Sequence, residues 1–192
     1  MIKMIYKKLG EITKIFNGIR ITRYNDNVEG KETKIFDGKK SNQNLQYDKI
    51  FLEKEINEKY YSKKNDILIP LINTNNIIQI KDEINILIPF NYIIIRVMDG
   101  YDSKYIFHIL KSKLFEQTTN KLMEGTTVHI LKISELKKIK IKYIPLKKQI
   151  EYGKLLQLID YKIELEKNRL IVEEKFKESL MFELFGEDYV RL

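Results

Sequence analysis

The sequence predicts an α+β protein: a mostly-β unit with short helices, followed by one long C-terminal helix of coiled-coil type. Three observations predict it. Strand-length, Ile-rich runs recur between polar stretches in the first three quarters of the chain. The apolar spacing then changes from two to three or four over residues 102–120. After Pro145 no further proline occurs, Gly153 and Gly186 are the only glycines, and a heptad-like pattern sets in.

The elements follow in order. Ile67–Leu71, Ile77–Ile80, Ile84–Ile88 and Tyr92–Val97 are short, β-branched and bounded by Asn, Asp, Lys or Pro, which reads as four strands. Pro70 and Pro89 follow apolar runs and are expected to end strands or lie at edges. Asp37–Gly38 and Asp99–Gly100 are turn signals. Tyr105, Ile106, Ile109, Leu110, Leu114 and Phe115 form one amphipathic helix in this reading, capped by Asp102 or Ser103. A shorter helix is expected after Ile133, with Ser134 as its cap. Residues 21–65 carry few apolar anchors and read as long polar loops, which in a compact domain are either functional or disordered.

The tail differs. Tyr152, Leu156, Ile159, Ile163 and Leu170 follow 4-3-4-7 spacing, with Leu180 and Leu184 beyond. Glu166, Glu173 and Lys177 interrupt this seam. A second apolar stripe runs through Leu155, Leu158, Leu165, Val172 and Phe176. A continuous helix from Gln149 to Phe185 would be ~55 Å long at ~1.5 Å per residue. A helix apolar on two sides needs two partners. Two domains are expected: 1–144, the mixed unit, and 145–192, the long helix.

Composition narrows the function. The chain has 192 residues, is 43% hydrophobic and carries a net charge of +8. That is enough apolar content for a core and argues against wholesale disorder. There is no cysteine, hence no disulfide, thiolate metal site or cysteine nucleophile. Lys3, Lys7 and Lys8 break the apolar start, and no run approaches the ~18–20 residues of a membrane span. A soluble cytoplasmic protein without membrane attachment is expected. The charge is uneven. Residues 1–140 hold 25 Lys+Arg against 17 Asp+Glu, whereas residues 141–192 hold 10 of each. An AT-rich genome raises lysine in both parts and does not explain the difference. A solvated tail helix with mixed charges would; so would a first part that faces a polyanion and a tail that faces protein.

Catalytic chemistry is thinly supplied. His108 falls in the amphipathic stretch as an ordinary helix residue. His129 follows Gly-Thr-Thr-Val and is the better contact candidate. The two histidines lie far apart, so no metal site is expected, and no cofactor. Glu124, Glu135 and Lys137 resemble the acid-and-lysine set of magnesium nucleases, yet Glu-x-Lys is common in so charged a chain. No P-loop or Gly-rich dinucleotide turn occurs. The chain therefore reads as a binding protein, not an enzyme. Binding groups are plentiful, because Lys, Arg and Thr reach phosphates while Arg, Asn and Gln read base edges. The candidate DNA contacts are Arg20, Arg23, Lys39, Lys40, Asn42, Gln43, Lys63, Lys64, Asn73, Asn75, Thr126, Thr127 and His129, with Asn44, Thr74 and Asn76 beside them.

At this point the layout resembles a known family. KKLGEITKIFNGI (Lys7–Ile19) and KNDILI (Lys64–Ile69) resemble the opening and a strand of a target-recognition domain. The run from GTTVHILKISEL to IELEKNRL (Gly125–Leu170) resembles the family pattern at Gly125, Thr126, Thr127, Ile130, Leu136, Ile144, Pro145, Gln149, Leu156 and Asp160. The family is that of the specificity subunits of type I restriction–modification systems. Its members commonly have Pro-Pro and Glu-Gln before the long helix, where this chain has Pro145-Leu-Lys-Lys-Gln149. They typically carry two recognition domains and two long helices, whereas this chain has one of each.

The resemblance implies a half-length, non-enzymatic DNA-binding subunit that aims a methyltransferase subunit and, through the complex, a restriction subunit at double-stranded DNA. It also implies a homodimer paired through the helices, with Tyr152, Leu156, Ile159, Ile163, Leu170, Leu180 and Leu184 as the partner seam. Such a dimer would read a bipartite, palindromic target. The alternatives are a decoy or adaptor half-subunit that pairs with another specificity subunit, a coiled-coil adaptor without a DNA role, and a standalone metal-dependent nuclease.

Overall fold

The structure, a computed structural model, describes residues 5–21, 30–41, 44–52, 54–82, 85–123 and 130–186. The expected α+β architecture is observed. The chain divides into two compact units, Met1–Gly153 and Lys154–Leu192.

The first unit is built on a four-stranded antiparallel sheet in the order β2 (Thr13–Asn17), β7 (Tyr92–Val97), β5 (Ile67–Pro70), β6 (Ile78–Gln79). Its two central strands are apolar at almost every position, Arg96 excepted, because the sheet is covered on both faces. Ile67, Ile69, Ile93 and Ile95 point to one core, which is closed by Ile106 and Leu110 of α2 (Ser103–Leu110) and Phe115 of α3 (Lys113–Met123). Leu68, Tyr92 and Ile94 point the other way, to Phe36, Leu45, Ile86 and Ile88. A two-stranded sheet and a two-stranded ribbon complete the unit. β1 (Tyr6–Lys8) pairs with β8 (Lys140–Lys142), flanked by α1 (Leu9–Ile12) and α4 (Ile133–Leu136).

Several expectations are corrected. Residues 31–41 and 44–52 are not loop: β3 (Lys31–Ser41) and β4 (Asn44–Leu52) form an antiparallel ribbon. Asp37–Gly38 is not its turn. Gly38, at φ +90°, lies inside β3 where the register shifts between Phe36 and Lys40, as a bulge requires. The single helix expected over 102–120 is two. The Ser112 hydroxyl accepts from the Phe115 N–H at 3.3 Å and starts α3 as a cap would. Asp102, rather than Ser103, caps α2 by accepting from the Tyr105 N–H at 2.7 Å. Residues 85–88 are not a regular strand. Leu87 makes isolated bridges to Ile35 and Tyr61. α4 begins at Ile133 behind Lys132, so Ser134 is not its cap.

The long helix, α5 (Leu146–Phe185), starts before Gln149 and runs 40 residues, about 60 Å at ~1.5 Å per residue. Its first two turns belong to the first unit. Buried Gln149 donates to the Ile144 carbonyl at 2.7 Å and accepts from the Asp102 N–H at 3.1 Å. Gly153 lies where a Cβ would stand 2.5 Å from Asp102 Oδ1. In the second unit the apolar side chains of both stripes are exposed, from Leu155 and Leu156 to Phe176 and Leu184. Among the described residues, no helix is long and apolar enough to cross a membrane.

Candidate nucleic-acid interface

The sheet register sorts the candidate contacts into two groups. β2 and β5 end, and β6 and β7 begin, at one edge of the sheet. That edge gathers Gly18–Arg20, Leu71–Asn76 and Phe90–Asn91. A cleft of about 660 Å³ opens there, lined by Asn73, Asn75, Asn76, Asn91, Phe90 and Lys111 among others. The β3 bulge reaches the same place, since Gly38 also lines the cleft and precedes exposed Lys39. A second cleft of about 380 Å³ adjoins through Phe90, with Asn17, Arg20, Lys59 and Tyr60 in its wall.

Local chemistry shapes this edge. Asn73 takes φ +57°, which Asn tolerates better than most residues, and its carbonyl accepts from the Asn76 N–H at 3.3 Å. Asn75 is already engaged: its amide nitrogen donates to Glu116 Oε1 at 2.7 Å. A carboxylate at that position disfavours a phosphate and leaves the Asn75 carbonyl oxygen for a donor. The Arg20 guanidinium carbon lies 4.6 Å from the Phe90 ring centroid.

Lys63 and Lys64 lie at the opposite edge, before β5. β7 between the two edges has six residues, or roughly 20 Å at ~3.3 Å each. Both lysines are exposed on a turn that Asp66 holds. The Asp66 carboxylate is buried, accepts from the Lys63 N–H at 2.8 Å and takes both Nε and a terminal nitrogen of Arg96, at 2.8 and 2.7 Å. Arg96 donates also to the Tyr61 carbonyl at 3.2 Å. A cleft of about 340 Å³ lies beside this pair.

The structure thus brings Arg20, Lys39, Asn73 and Asn75 to one edge and separates them from Lys63 and Lys64. Lys40 lies on β3. Arg23, Asn42, Gln43, Thr126, Thr127 and His129 lie outside the described residues. The sequence reading passes over Asn17, Lys59, Tyr60, Phe90, Asn91 and Lys111. The one signal for them is polar or aromatic residues directly beside Ile-rich runs, as in Pro89-Phe90-Asn91-Tyr92.

Other charged groups are committed elsewhere. Lys7 donates to the Tyr101 hydroxyl at 2.8 Å and lies over the Tyr101 and Tyr143 rings, and the hydrogen bond holds its pKa above the usual range. Glu135 pairs with Lys138 at 2.7 Å; Glu124, the other acid of the nuclease-like set, is outside the described residues. No group of three metal-ligating side chains occurs among the described residues.

The chain is similar to the HsdS subunit from Thermoanaerobacter tengcongensis, with a TM-score of 0.64 at 14% identity over 96% of this chain and 45% of that one. It is similar to the S subunit of the type I restriction–modification system from M. genitalium, with a TM-score of 0.57 at 18% identity over 93% and 44%. A chain from a type I system studied for complex assembly and conformational transition gives 0.68 at 14% identity over 99% and 47%. No protein-family model matches the sequence, and no curated protein matches it. The fold is that of type I restriction–modification specificity subunits. The chain spans less than half the length of the solved chains that it matches.

Proposed function

We propose that this chain is a recognition half of a type I restriction–modification specificity subunit: it binds double-stranded DNA by sequence and directs methyltransferase and restriction subunits there. The observation that carries this reading is the extent of the fold match, nearly all of this chain on under half of each solved one. Residues 1–144 serve as the recognition domain, and 145–192 as the helix for dimerisation and methyltransferase docking. The protein works in the cytoplasm, alongside the genome, and does no chemistry itself. Charge supports the assignment, since the excess of +8 lies wholly in residues 1–140. Phosphate contacts from that unit supply affinity with a steep salt dependence, and base contacts supply specificity. Two copies paired through α5 present two recognition units, and hence a bipartite site with inverted halves.

The test is selection of bound sequences from a random duplex pool, by the chain alone and with methyltransferase subunits encoded beside it. A bipartite site with matching inverted halves is expected. A single undivided half-site would retain the DNA role and remove the symmetric dimer. Failure to enrich any sequence, from folded protein in either format, would overturn the reading in favour of an adaptor or decoy. Magnesium-dependent cutting by the purified chain would favour a nuclease.

A further inference from the structure

Arginine is scarce in this chain, five residues against thirty lysines. The described arginines differ in what holds them. Arg96 is bound to the buried Asp66 carboxylate, and Arg169 pairs with Glu173 at 2.8 Å. Arg20 has no carboxylate partner among the described residues. It is exposed, and its guanidinium rests against the Phe90 ring at 4.6 Å. Such a contact restrains the side chain without consuming any of its five N–H donors.

The surroundings select a ligand class. The cleft beside Arg20 contains no acidic residue in its described lining. Lys59 lies in the same wall, its ammonium 4.7 Å from the Tyr60 ring centroid. Asn17 Oδ1 is buried there without a hydrogen-bond partner among the described residues. A restrained guanidinium fork with free donors matches two adjacent acceptors on one rigid edge. In duplex DNA, guanine offers this pattern in the major groove through O6 and N7. A lysine beside it suits the neighbouring phosphate.

We propose that Arg20, braced by Phe90 at the edge of the four-stranded sheet, is a specificity-determining residue that reads a guanine in the major groove. The proposal rests on the DNA-recognition reading above and names the base that this edge recognises.

Titrations on the selected duplex and its single-base variants test it, with wild type, Arg20→Lys, Arg20→Ala and Phe90→Leu compared in the assembly that binds. Wild type is expected to lose roughly ten- to a hundred-fold in affinity when one particular G·C pair is replaced. The same loss is expected from 7-deazaguanine there, which lacks the N7 acceptor. Arg20→Ala is expected to abolish both effects while preserving preferences at other positions, and Arg20→Lys, which keeps donors but not the planar fork, and Phe90→Leu are expected to weaken them. Arg20 is exposed, so its variants are expected to stay folded, and thermal melting checks this. An Arg20→Ala protein that keeps every base preference overturns the inference and leaves the DNA reading intact. A uniform loss on all sequences, with the salt slope reduced by about one, also overturns it, because that marks a phosphate contact. A folded wild type that selects no sequence overturns the DNA reading and this inference with it.

Discussion

Asp66 shows how one buried charge presents exposed ones. Its carboxylate is 1% exposed, against 22% for the Arg96 side chain, and it ties the Lys63–Lys64 turn to β7. Removing the charge by Asp66→Asn leaves Arg96 short of an acceptor. The expected cost is about 2–4 kcal/mol, somewhat under that of a fully buried pair because Arg96 retains solvent. For a chain of this length that lowers the melting temperature by roughly 5–15 °C. Differential scanning calorimetry measures it; an unchanged melting temperature would mean that the backbone alone holds the turn. Tyr92 gives a prediction in pH. Burial pushes its phenol above the ordinary value of 10.0, and the Asp37 charge adds to that. Above pH 10 the unfolded phenol sheds its proton while the folded one resists, so the unfolded state binds fewer protons and stability falls as pH rises. Tyr105, Lys7 and Lys49 are shifted upward too and act in the same direction. Tyr92→Phe is therefore expected to make the alkaline decline shallower without removing it. Urea denaturation at a series of pH values from neutral to above 10 checks this, and parallel curves for the two proteins would refute it.

At the scale of elements, what the sequence revealed depended on burial. β5 and β7 were legible because a strand covered on both faces shows an unbroken apolar run. α5 was legible from its spacing and its lack of proline. The β3–β4 ribbon was not, since KETKIFDGKKS carries only Ile35 and Phe36 as apolar residues, those of NLQYDKIFL keep no steady alternation, and their pairing partner is each other. The break between α2 and α3 rests on a single hydroxyl, Ser112, inside an otherwise continuous helical period. The candidate site was half legible. Residue types pointed to Arg20, Asn73 and Lys63, but only the strand register shows that Lys63 lies at the far edge from the other two. Phe90 and Asn17 have no motif, and their importance arises from what they adjoin. Gly153 supplies the test at this scale. In an ordinary helix, Gly→Ala stabilises by about 0.8–1 kcal/mol. Here the added methyl would meet Asp102 Oδ1 at 2.5 Å and the Tyr105 nitrogen at 2.9 Å, the two groups that form the α2 cap. Gly153→Ala is expected to destabilise instead, and a raised melting temperature would show that the contact yields cheaply.

At the scale of the whole molecule, α5 leaves a question of partners. Tyr152, Ile159, Ile163 and Leu170 are about half exposed on one stripe, and Leu158, Val172 and Phe176 are more exposed on the other. Burying such side chains stabilises by roughly 1.5–3 kcal/mol each, so an unpaired helix of this kind is a poor resting state in water. The first stripe holds the 4-3-4-7 spacing that knobs-into-holes packing requires, and in the proposed dimer it faces a second copy of the chain. The same proposal leaves the second stripe to the methyltransferase. Charges placed on each stripe separate the two roles. Ile159→Glu with Ile163→Glu is expected to convert a dimer into a monomer in sedimentation equilibrium. In the selection experiment the same protein should recover at most one half-site. Leu165→Glu with Val172→Glu is expected to leave the dimer intact and to abolish co-purification with the methyltransferase subunit. If both pairs of substitutions lose both properties together, the stripes are not separate surfaces, and pairing and docking form one assembly step.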